Sequence, residues 1–525
     1  MGEVQDSYRQ ISRATGIIVG LTLVDKVLAV AKETLTAYWF GVSAELDAFN
    51  IALAFPGVLT LLLSGAIVSA IVPLYLEWSH KYSPVQADRR AVHLFYFLGL
   101  LFIFATLAGF AASPFLIDIM GYGFDAPQKV LAVALQRILM LIIILDGFGI
   151  VLRGLLQARK SFFGLTAAPI FVNCFIIGML LFGRDLGIHA LVWGTVLGTF
   201  CKTAYMLVLL SRQGMRFVPA GLPSKETIAA FAVLVFPMLG SELMSNSNLL
   251  VDQAMATQLT SGSVSTLRYA YRINDLPVQV VVLAISRAIF PYVAEQRIRR
   301  DAEALRECFK HIVILLGFLS FPMACLAGLF SREAVGILLQ RGAFDATAAD
   351  ETAQTLVFYS LGLFLYAYTF VNGTFFSAMK DVKTLFIMGC LATLLNATFN
   401  LLFMRWIGVQ GIALSSTVTQ GLISIIFMRI IKKRLAIDTI SEIFRNLVPV
   451  AVACVALIMA GYWLRMCFLG LDISPVLFLP AAGFILGISY LALLRFICLD
   501  ELRTSVTLIV PRNLVNKILG PPRGW

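Results

Sequence analysis

The chain has 525 residues, of which 59% are hydrophobic and only 14% charged, and its mean hydropathy is +0.87. Soluble domains carry about 25% charged residues, so the composition excludes an ordinary soluble protein and predicts an integral membrane protein. The net charge of +11 is typical of basic loops at a membrane surface and does not indicate nucleic-acid binding. The eight cysteines have no CxxC spacing and predict neither disulfides nor a metal centre.

Fourteen hydrophobic segments follow one another along the chain, and a helix of about 20 residues is long enough to cross the hydrocarbon core. The segments leave no room for a soluble domain between them. The predicted fold class is therefore an all-α polytopic membrane protein with about 14 transmembrane helices. The helices are predicted at residues 11–40, 46–77, 91–117, 129–157, 161–183, 187–211, 226–258, 263–295, 309–330, 352–378, 382–404, 408–431, 445–468 and 474–497.

Basic residues concentrate in the even-numbered loops. They are Lys81, Arg89, Arg90, Arg153, Arg159, Lys160, Arg212, Arg216, Lys225, Arg297, Arg299, Arg300, Arg306, Lys310, Arg429, Lys432, Lys433 and Arg434. Because cytoplasmic loops carry an excess of Lys and Arg, this distribution predicts a multi-pass protein of the cytoplasmic membrane with both termini in the cytoplasm.

The sequence repeats itself at an offset of about 220 residues. Short matches pair the segments 123–126 with 343–346, 154–160 with 373–380 and 187–190 with 408–411, and the residues Asn173 with Asn396 and Pro56 with Pro277. Each repeat contains six predicted helices, which favours two parallel halves with a substrate site between them, as in secondary transporters. The predicted divisions are an N-terminal six-helix lobe at 1–220, a C-terminal six-helix lobe at 221–436, two additional helices at 437–498 and a cytoplasmic tail at 499–525.

Predicted helix 1 carries Asp25, Lys26, Lys32 and Glu33 near its middle. Residues seven apart return to nearly the same helix face, so these charges form one polar stripe. Charges at the membrane centre are costly and face a wet cavity or a partner, so the stripe predicts one wall of a polar pathway.

Predicted helix 8 carries a second charged face with Arg268, Arg272 and Asp275. The repeat aligns Asp47 of predicted helix 2 with Arg268. One interpretation is a set of internal salt bridges that join the halves. The other is a central site for an anionic substrate, which requires that the acids do not neutralise every cation. Arginine suits this role because its fork binds phosphate through two hydrogen bonds, whereas lysine acts as a point charge.

A further polar set contains Asp252, Asn396, Asn400 and Ser416, the last within the run Ser415-Ser416-Thr417. One carboxylate with amide and hydroxyl oxygens suits a small hard cation such as Na⁺. Hydrogen bonding between helices is the alternative interpretation.

Four motifs carry a family resemblance. They are Phe40-Gly-Val-Ser-Ala-Glu-Leu-Asp-Ala-Phe49, Ser64-Gly-Ala66 after Pro56, Tyr269-Ala-Tyr-Arg-Ile-Asn-Asp-Leu-Pro277, and Leu339-Gln-Arg-Gly-Ala-Phe344. In combination they resemble the MurJ/MviN lipid II flippase family of the MOP exporter superfamily, over the first twelve predicted helices.

The resemblance implies two six-helix lobes around a cavity and two C-terminal helices that form a groove for a lipid tail. It also implies alternating-access translocation of an undecaprenyl-pyrophosphate-linked saccharide in the bacterial cytoplasmic membrane, driven by ions or the membrane potential. The family's cavity residues fall on Lys26, Lys32, Asp47 and Arg272, and its sodium-site positions on Asp252, Asn396, Asn400 and Ser416.

The chain departs from the family pattern in its charges. Both first-helix arginines of the family are lysines here, and the arginine before the Gly-Ala of the second helix corresponds to Thr60 or Leu61. These changes predict a family scaffold with an altered headgroup pocket, for lipid II or a related polysaccharide precursor.

The alternative function is a cation-coupled exporter of drugs or other small molecules. An enzyme is not expected, because the outward loops are short and carry few paired carboxylates. No cofactor is expected other than Na⁺ as a coupling ion. The protein is expected to reside in a lipid bilayer. A monomer is compatible with the sequence.

Overall fold

The computed structural model describes residues 2–218, 221–299, 301–435, 440–471 and 474–497. Almost all of these residues are helical, as expected where lipid offers the backbone no hydrogen-bonding partner. The predicted tail at 499–525 lies outside the described residues. The first seven helices are α1 (Gly2–Phe40), α2 (Ala44–Lys81), α3 (Pro84–Met120), α4 (Ala126–Leu139), α5 (Leu141–Ala158), α6 (Phe162–Phe182) and α7 (His189–Arg212), with a short 3-10 turn at Arg184–Leu186 before α7.

Ten further helices follow within the described ranges. They are α8 (Lys225–Ala256), α9 (Ser263–Arg299), α10 (Ala302–Leu329), α11 (Ser331–Leu338), α12 (Ala346–Leu361), α13 (Leu363–Ala378), α14 (Val382–Ile407), α15 (Val409–Leu435), α16 (Ile440–Leu471) and α17 (Pro475–Ile497).

Short polar side chains fix where several helices begin. Ser43, Asp125 and Asp301 each accept a hydrogen bond from the backbone N–H three residues later, at 3.3, 2.9 and 2.9 Å. These N-caps satisfy backbone donors that have no partner inside the helix. The beginnings of α2, α4 and α10 are therefore encoded locally in the sequence.

Each of the fourteen predicted segments is helical, with two breaks and one addition. Predicted helix 4 is divided into α4 and α5 at Met140, predicted helix 10 is divided into α12 and α13 at Gly362, and α11 is an additional short helix. Predicted helix 8 is α9. In the described ranges, nine spans are long and apolar enough to cross a membrane, or ten if α12 and α13, bent by 50°, count as one. The figure of fourteen transmembrane helices stays a prediction.

The chain forms two compact units. The first contains Met1–Ser265 and Arg341–Asp345, and the second contains Thr266–Gln340 and Ala346–Trp525. This division by contacts differs from the predicted lobe boundary at 220/221, which was drawn from the repeat and stays a prediction. The difference arises because α8 packs against α2 and α3 of the first unit.

Each unit has its own apolar core. In the first unit, fully or nearly fully buried side chains from α2, α3, α5 and α7 pack together, among them Ile71, Leu94, Leu155 and Met206. The core of the second unit is built largely from aromatic and aliphatic residues of α9, α10, α13 and α15. Helices α16 and α17 belong to this unit, where the Tyr490 hydroxyl donates to the Phe318 carbonyl oxygen at 2.8 Å.

The backbone repeats at the predicted offset. Lys160 and Lys380, the two non-glycine residues with positive φ in the described chain, have φ of 57° and 58°. Gly187 and Gly408 have nearly identical backbone angles, with φ of 54° and 59° and ψ of −134° in both. Because such conformations are unfavourable for most residues, their recurrence about 220 residues apart supports the internal repeat.

The turn at Lys380 leads into a charged helix start. Asp381 accepts hydrogen bonds from the backbone N–H and hydroxyl of Thr384, at 3.2 and 2.6 Å, and forms a salt bridge with Arg434. Burial tends to raise the pKa of Asp381, but these hydrogen bonds and the guanidinium outweigh it and hold the pKa below its usual value of 3.8. This carboxylate therefore stabilises the fold in its ionised form.

Candidate functional site

The charged stripe of α1 is half-buried in the first unit, where α1 packs against α6. The Lys32 ammonium lies 3.1 Å from the Glu33 carboxylate. Asp25 has a different kind of partner, because Asn173 of α6 donates its side-chain N–H to the Asp25 carboxylate at 3.0 Å. The helix is continuous through residues 25–33, so the predicted shared face exists, but spacing alone did not identify these partners.

Asp47 lies in the first turn of α2, and its side chain is almost completely buried, with 2% of the residue exposed. Its carboxylate accepts hydrogen bonds from the backbone N–H groups of Gly262 and Ser265, both at 2.7 Å, and from the Ser265 hydroxyl at 2.6 Å. Asn50, one turn further on α2, donates to the same hydroxyl at 3.1 Å. In this conformation Asp47 therefore caps the beginning of α9.

Close backbone contacts surround Asp47. The Ala343 N–H donates to the Tyr38 carbonyl oxygen at 2.9 Å. A Cβ on Gly41 would lie only 2.3 Å from the Ala343 carbonyl oxygen, and a Cβ on Gly262 would lie 2.8 Å from the carbonyl oxygen of Val42. Gly41 and Gly262 have positive φ, at 56° and 94°, and they lie about 220 residues apart.

We call this set of segments the turn clasp, and it consists of residues 38–47, 257–265 and 341–345, all within the first compact unit. The clasp joins segments from both predicted repeats. Gly123 extends it, because its N–H donates to the Thr257 hydroxyl at 3.3 Å. Opening the clasp requires the loss of hydrogen bonds to a buried carboxylate and the separation of tightly packed backbone.

The predicted cations are divided between the units. Lys26 and Lys32 lie on α1 in the first unit, and Arg268 and Arg272 lie on α9 in the second. All four side chains are half-buried, as is Asp275 on α9. The continuous helix over Ser263–Arg299 keeps both arginines on one face. Each unit thus contains a helix with two cations and acidic neighbours.

The predicted sodium ligands are also divided. Asp252 lies on α8 in the first unit, whereas Asn396, Asn400 and Ser416 lie on α14 and α15 in the second. Asn396 donates to the Ser416 hydroxyl at 3.3 Å, and Asn400 donates to the Asn396 side-chain oxygen at 3.3 Å. Ser415 donates to the Asn400 side-chain oxygen.

A cation needs oxygen atoms that point toward it. In the second unit, the side-chain oxygens of Asn396 and Asn400 already accept hydrogen bonds from neutral groups, and α14 and α15 contain no carboxylate. These three residues therefore match the alternative interpretation, a hydrogen-bonded contact between helices, better than a metal site. Their assignment as sodium ligands stays a prediction.

The sequence analysis missed a buried ion pair in the first unit. The Lys202 ammonium of α7 lies 2.6 Å from the Asp146 carboxylate of α5, and both side chains are largely buried. A lysine within the apolar run of α7 was the available signal. Arg153, counted above as a loop cation, lies within α5 and donates to the Ser64 hydroxyl at 3.1 Å.

The fold is similar to that of two solved membrane transporters. A multidrug resistance MATE family transporter of the MOP superfamily, in an inward-facing conformation, matches with a TM-score of 0.69 and 15% identity, covering 80% of this chain and 98% of its own. The structure titled "Lipid II flippase MurJ, inward closed conformation" matches with a TM-score of 0.76 and 22% identity, covering 91% and 98% of the two chains. The chain therefore has the fold of MOP superfamily exporters.

Sequence comparison then identifies the family. The model of the family described as "Lipid II flippase MurJ" matches residues 36–479, and the chain belongs to this family. The "Probable lipid II flippase MurJ" of Buchnera aphidicola is 23% identical over 494 residues, which cover 91% of this chain and 95% of the relative. The family match begins after the charged stripe of α1.

Proposed function

We propose that this multi-pass membrane protein moves lipid II, a polyprenyl-pyrophosphate-linked saccharide, from the cytoplasmic to the outer leaflet. The match to the lipid II flippase MurJ family over residues 36–479 carries the proposal. The chain acts as a transporter by alternating access and not as an enzyme. The basic even-numbered loops support an orientation with both termini in the cytoplasm of a bacterium.

The pyrophosphate is bound by Lys26 and Lys32 of α1 and by Arg268 and Arg272 of α9. The half-buried positions of all four side chains on α1 and α9 support this assignment. The arginines provide paired hydrogen bonds to phosphate oxygens, and the lysines provide point charges. The contact between Glu33 and Lys32 positions that ammonium.

The turn clasp closes the outer side of the pathway. The clasp lies at the end of α1 and the beginning of α2, which the proposed orientation places outside. Its hydrogen bonds from Gly262 and Ser265 to Asp47 form in one state of the cycle and break in the other. By alternating between two discrete packings, a membrane transporter exposes its substrate site first to one side of the membrane and then to the other.

The lipid tail lies along α16. Val448, Val452, Val455, Met459 and Tyr462 follow one another at helical spacing and are each more than half exposed. This apolar stripe lies on a helix that packs against α10 in the core of the second unit.

Depletion and reconstitution test the proposal together. Depleting the protein in cells should cause lipid II to accumulate on the cytoplasmic side, and purified protein in vesicles should move lipid II between leaflets. A Lys32→Ala, Arg272→Ala double variant should lose most of this activity. Lys129→Ala is the matched control, because Lys129 forms an exposed ion pair with Asp118 at 3.0 Å.

Two results would contradict the proposal in different ways. Full-rate translocation by the double variant would exclude the cation assignment while leaving the function intact. No accumulation and no translocation by the unmodified protein would exclude the function. The MATE neighbour favours a second candidate, export of small amphipathic molecules, which predicts changed drug accumulation on depletion and no effect on lipid II.

A further inference from the structure

The Ser64-Gly-Ala66 motif of α2 lies where α5 and α8 pack against that helix. Arg153 of α5 donates a guanidinium N–H to the Ser64 hydroxyl at 3.1 Å. Gly65 points about 100° further around the axis, and a Cβ there would lie only 2.3 Å from a carboxylate oxygen of Glu242 on α8. Among the described residues, Arg153 and Glu242 are not joined by a salt bridge. The hydroxyl of the motif therefore holds a cation within the first unit.

The Arg153 side chain extends toward the middle of α2. Gly154, the next residue, packs at the level of Val68, because a Cβ there would lie 3.7 Å from the Val68 Cα. Ser64 lies about one helical turn before Val68, on the side away from the basic end of α5 at Arg159. Arginines near a helix end commonly extend toward water, and this one extends the other way. Its charge is thus kept within the apolar span of α2, where a cation is costly.

Two other cations on α5 and α7 of the same unit are neutralised by carboxylates or lie at the helix end. Lys202 lies 2.6 Å from Asp146, and Arg159 forms a salt bridge with Asp88. Arg153 is half-buried, and within the described chain its one polar partner is a neutral hydroxyl. A guanidinium has five N–H donors, so Arg153 keeps its charge and further donors for a ligand.

The second repeat does not keep this contact. The repeat aligns Arg153 with Asn372 and Ser64 with Ile285. Asn372 is fully buried and donates within its own helix, to the Tyr368 carbonyl oxygen at 2.8 Å. Because the scaffold accommodates a neutral side chain at this position in the second unit, packing alone does not account for an arginine in the first.

We propose that Arg153, positioned by Ser64, binds an oxyanion of the transported headgroup. The inference rests on the proposed function. Arginine binds phosphate and carboxylate oxygens through paired N–H donors, and lipid II offers both, in its pyrophosphate and in the peptide on its saccharide. Helix α1, which carries Lys26 and Lys32, packs mainly on α6, whereas α5 packs mainly on α2, α3 and α7. Arg153 therefore provides a cationic position on a different wall of the first unit.

The Ser64 hydroxyl suits a positioning role for Arg153. It accepts one N–H and adds no negative charge, so the guanidinium is oriented without being neutralised. A carboxylate in its place would compete with an anionic ligand, as Asp146 would at Lys202. The pairing of an arginine with a hydroxyl thus retains the affinity for an anion and restricts the directions from which one can bind.

Binding of two lipids to the purified full-length protein tests the inference. Dissociation constants are measured for lipid II and for undecaprenyl pyrophosphate, which lacks the saccharide and the peptide. Arg153→Gln removes the charge, Arg153→Lys keeps the charge without the fork, and Ser64→Ala removes the positioning hydroxyl. Arg137→Gln is the matched control, because Arg137 is an exposed cation on α4 of the same unit and lies over the Phe110 ring at 5.3 Å.

Arg153→Gln should weaken lipid II binding about tenfold or more, because a charge-assisted hydrogen bond is lost. Arg153→Lys should recover part of that loss. Ser64→Ala should weaken binding about threefold and should add nothing to Arg153→Gln in the double variant, since it acts through the arginine. Weaker binding of both lipids assigns the oxyanion to the pyrophosphate, whereas weaker binding of lipid II alone assigns it to a peptide carboxylate.

Thermal unfolding establishes which variants are folded, and if Arg153→Gln is not, the Arg153→Lys and Ser64→Ala variants carry the test. Unchanged lipid II affinity in the folded variants would overturn the inference and leave the proposed function intact. An equal loss in Arg137→Gln would assign the effect to net charge and overturn it as well. An additive loss in the double variant would exclude the positioning role of Ser64. If the unmodified protein bound neither lipid, the proposed function would fail together with the inference.

Discussion

Replacing Asp47 by asparagine should open the turn clasp. The carboxylate is almost fully buried and accepts three hydrogen bonds from Gly262 and Ser265 at 2.6–2.7 Å. Asparagine has nearly the same size but no charge, and it places an NH₂ donor against a backbone N–H donor. Hydrogen bonds to charged groups contribute about 1.5–3 kcal/mol each, so we expect the closed clasp to lose about 2–3 kcal/mol.

That loss corresponds to an increase of about 30- to 150-fold in the equilibrium constant for opening, since 1.4 kcal/mol is a factor of ten. Hydrogen exchange of a peptide spanning residues 257–266 measures this opening directly, because the Gly262 and Ser265 amides are the donors. Glu45→Gln is the matched control, as Glu45 lies in the same first turn of α2 but is exposed. Unchanged exchange in the Asp47 variant, or an equal increase in the control, would refute the reasoning.

Substitutions at three further places test the packing. Gly41→Ala should destabilise the folded protein by at least about 1–2 kcal/mol, because φ is positive and the new Cβ meets a backbone oxygen. Gly20→Ala, with open space at its Cβ, should stabilise α1 instead, and thermal unfolding distinguishes the two. Asp381→Asn should lower the unfolding temperature at neutral pH. Because the folded pKa is lowered, that difference is complete above the unfolded value of 3.8 and should disappear as pH falls through the folded value; a constant difference would contradict it. Lys202→Met should cost about 3–5 kcal/mol by leaving Asp146 buried without its cation, and adding Asp146→Leu should recover most of the loss.

Hydropathy predicted the helices well because each lipid-crossing segment must satisfy its own backbone and present an apolar surface. The breaks at Met140 and Gly362 were not predicted. Neither break has a proline in the sequence at that position, and a bend of 50° separates α12 from α13 at Gly362. The beginnings of α2 and α10 were accessible from Ser43 and Asp301, since N-caps act locally.

The partners of the charged residues could not be predicted from the sequence. Spacing placed Asp25 and Lys32 on one face of α1, and the continuous helix agrees, but it could not identify Asn173, 148 residues away, as the partner of Asp25. Alignment of the repeats brought Asp47 into register with Arg268. That alignment names equivalent positions and not partners; the partners of Asp47 are Gly262 and Ser265, whose backbone N–H groups at the beginning of α9 donate to the carboxylate. Sequence pattern predicts which residues share a helix face, whereas partner choice depends on packing between distant segments.

The two repeats share backbone conformations at their tight turns and differ in their polar side-chain contacts. Lys160 and Lys380, each at the turn between two consecutive helices, have nearly the same positive φ, 57° and 58°. No such backbone constraint applies to the side chains that contact α6 and its counterpart α14. A symmetric scaffold can therefore hold an ionisable contact at Asn173 in one unit and a neutral network at Asn396 in the other.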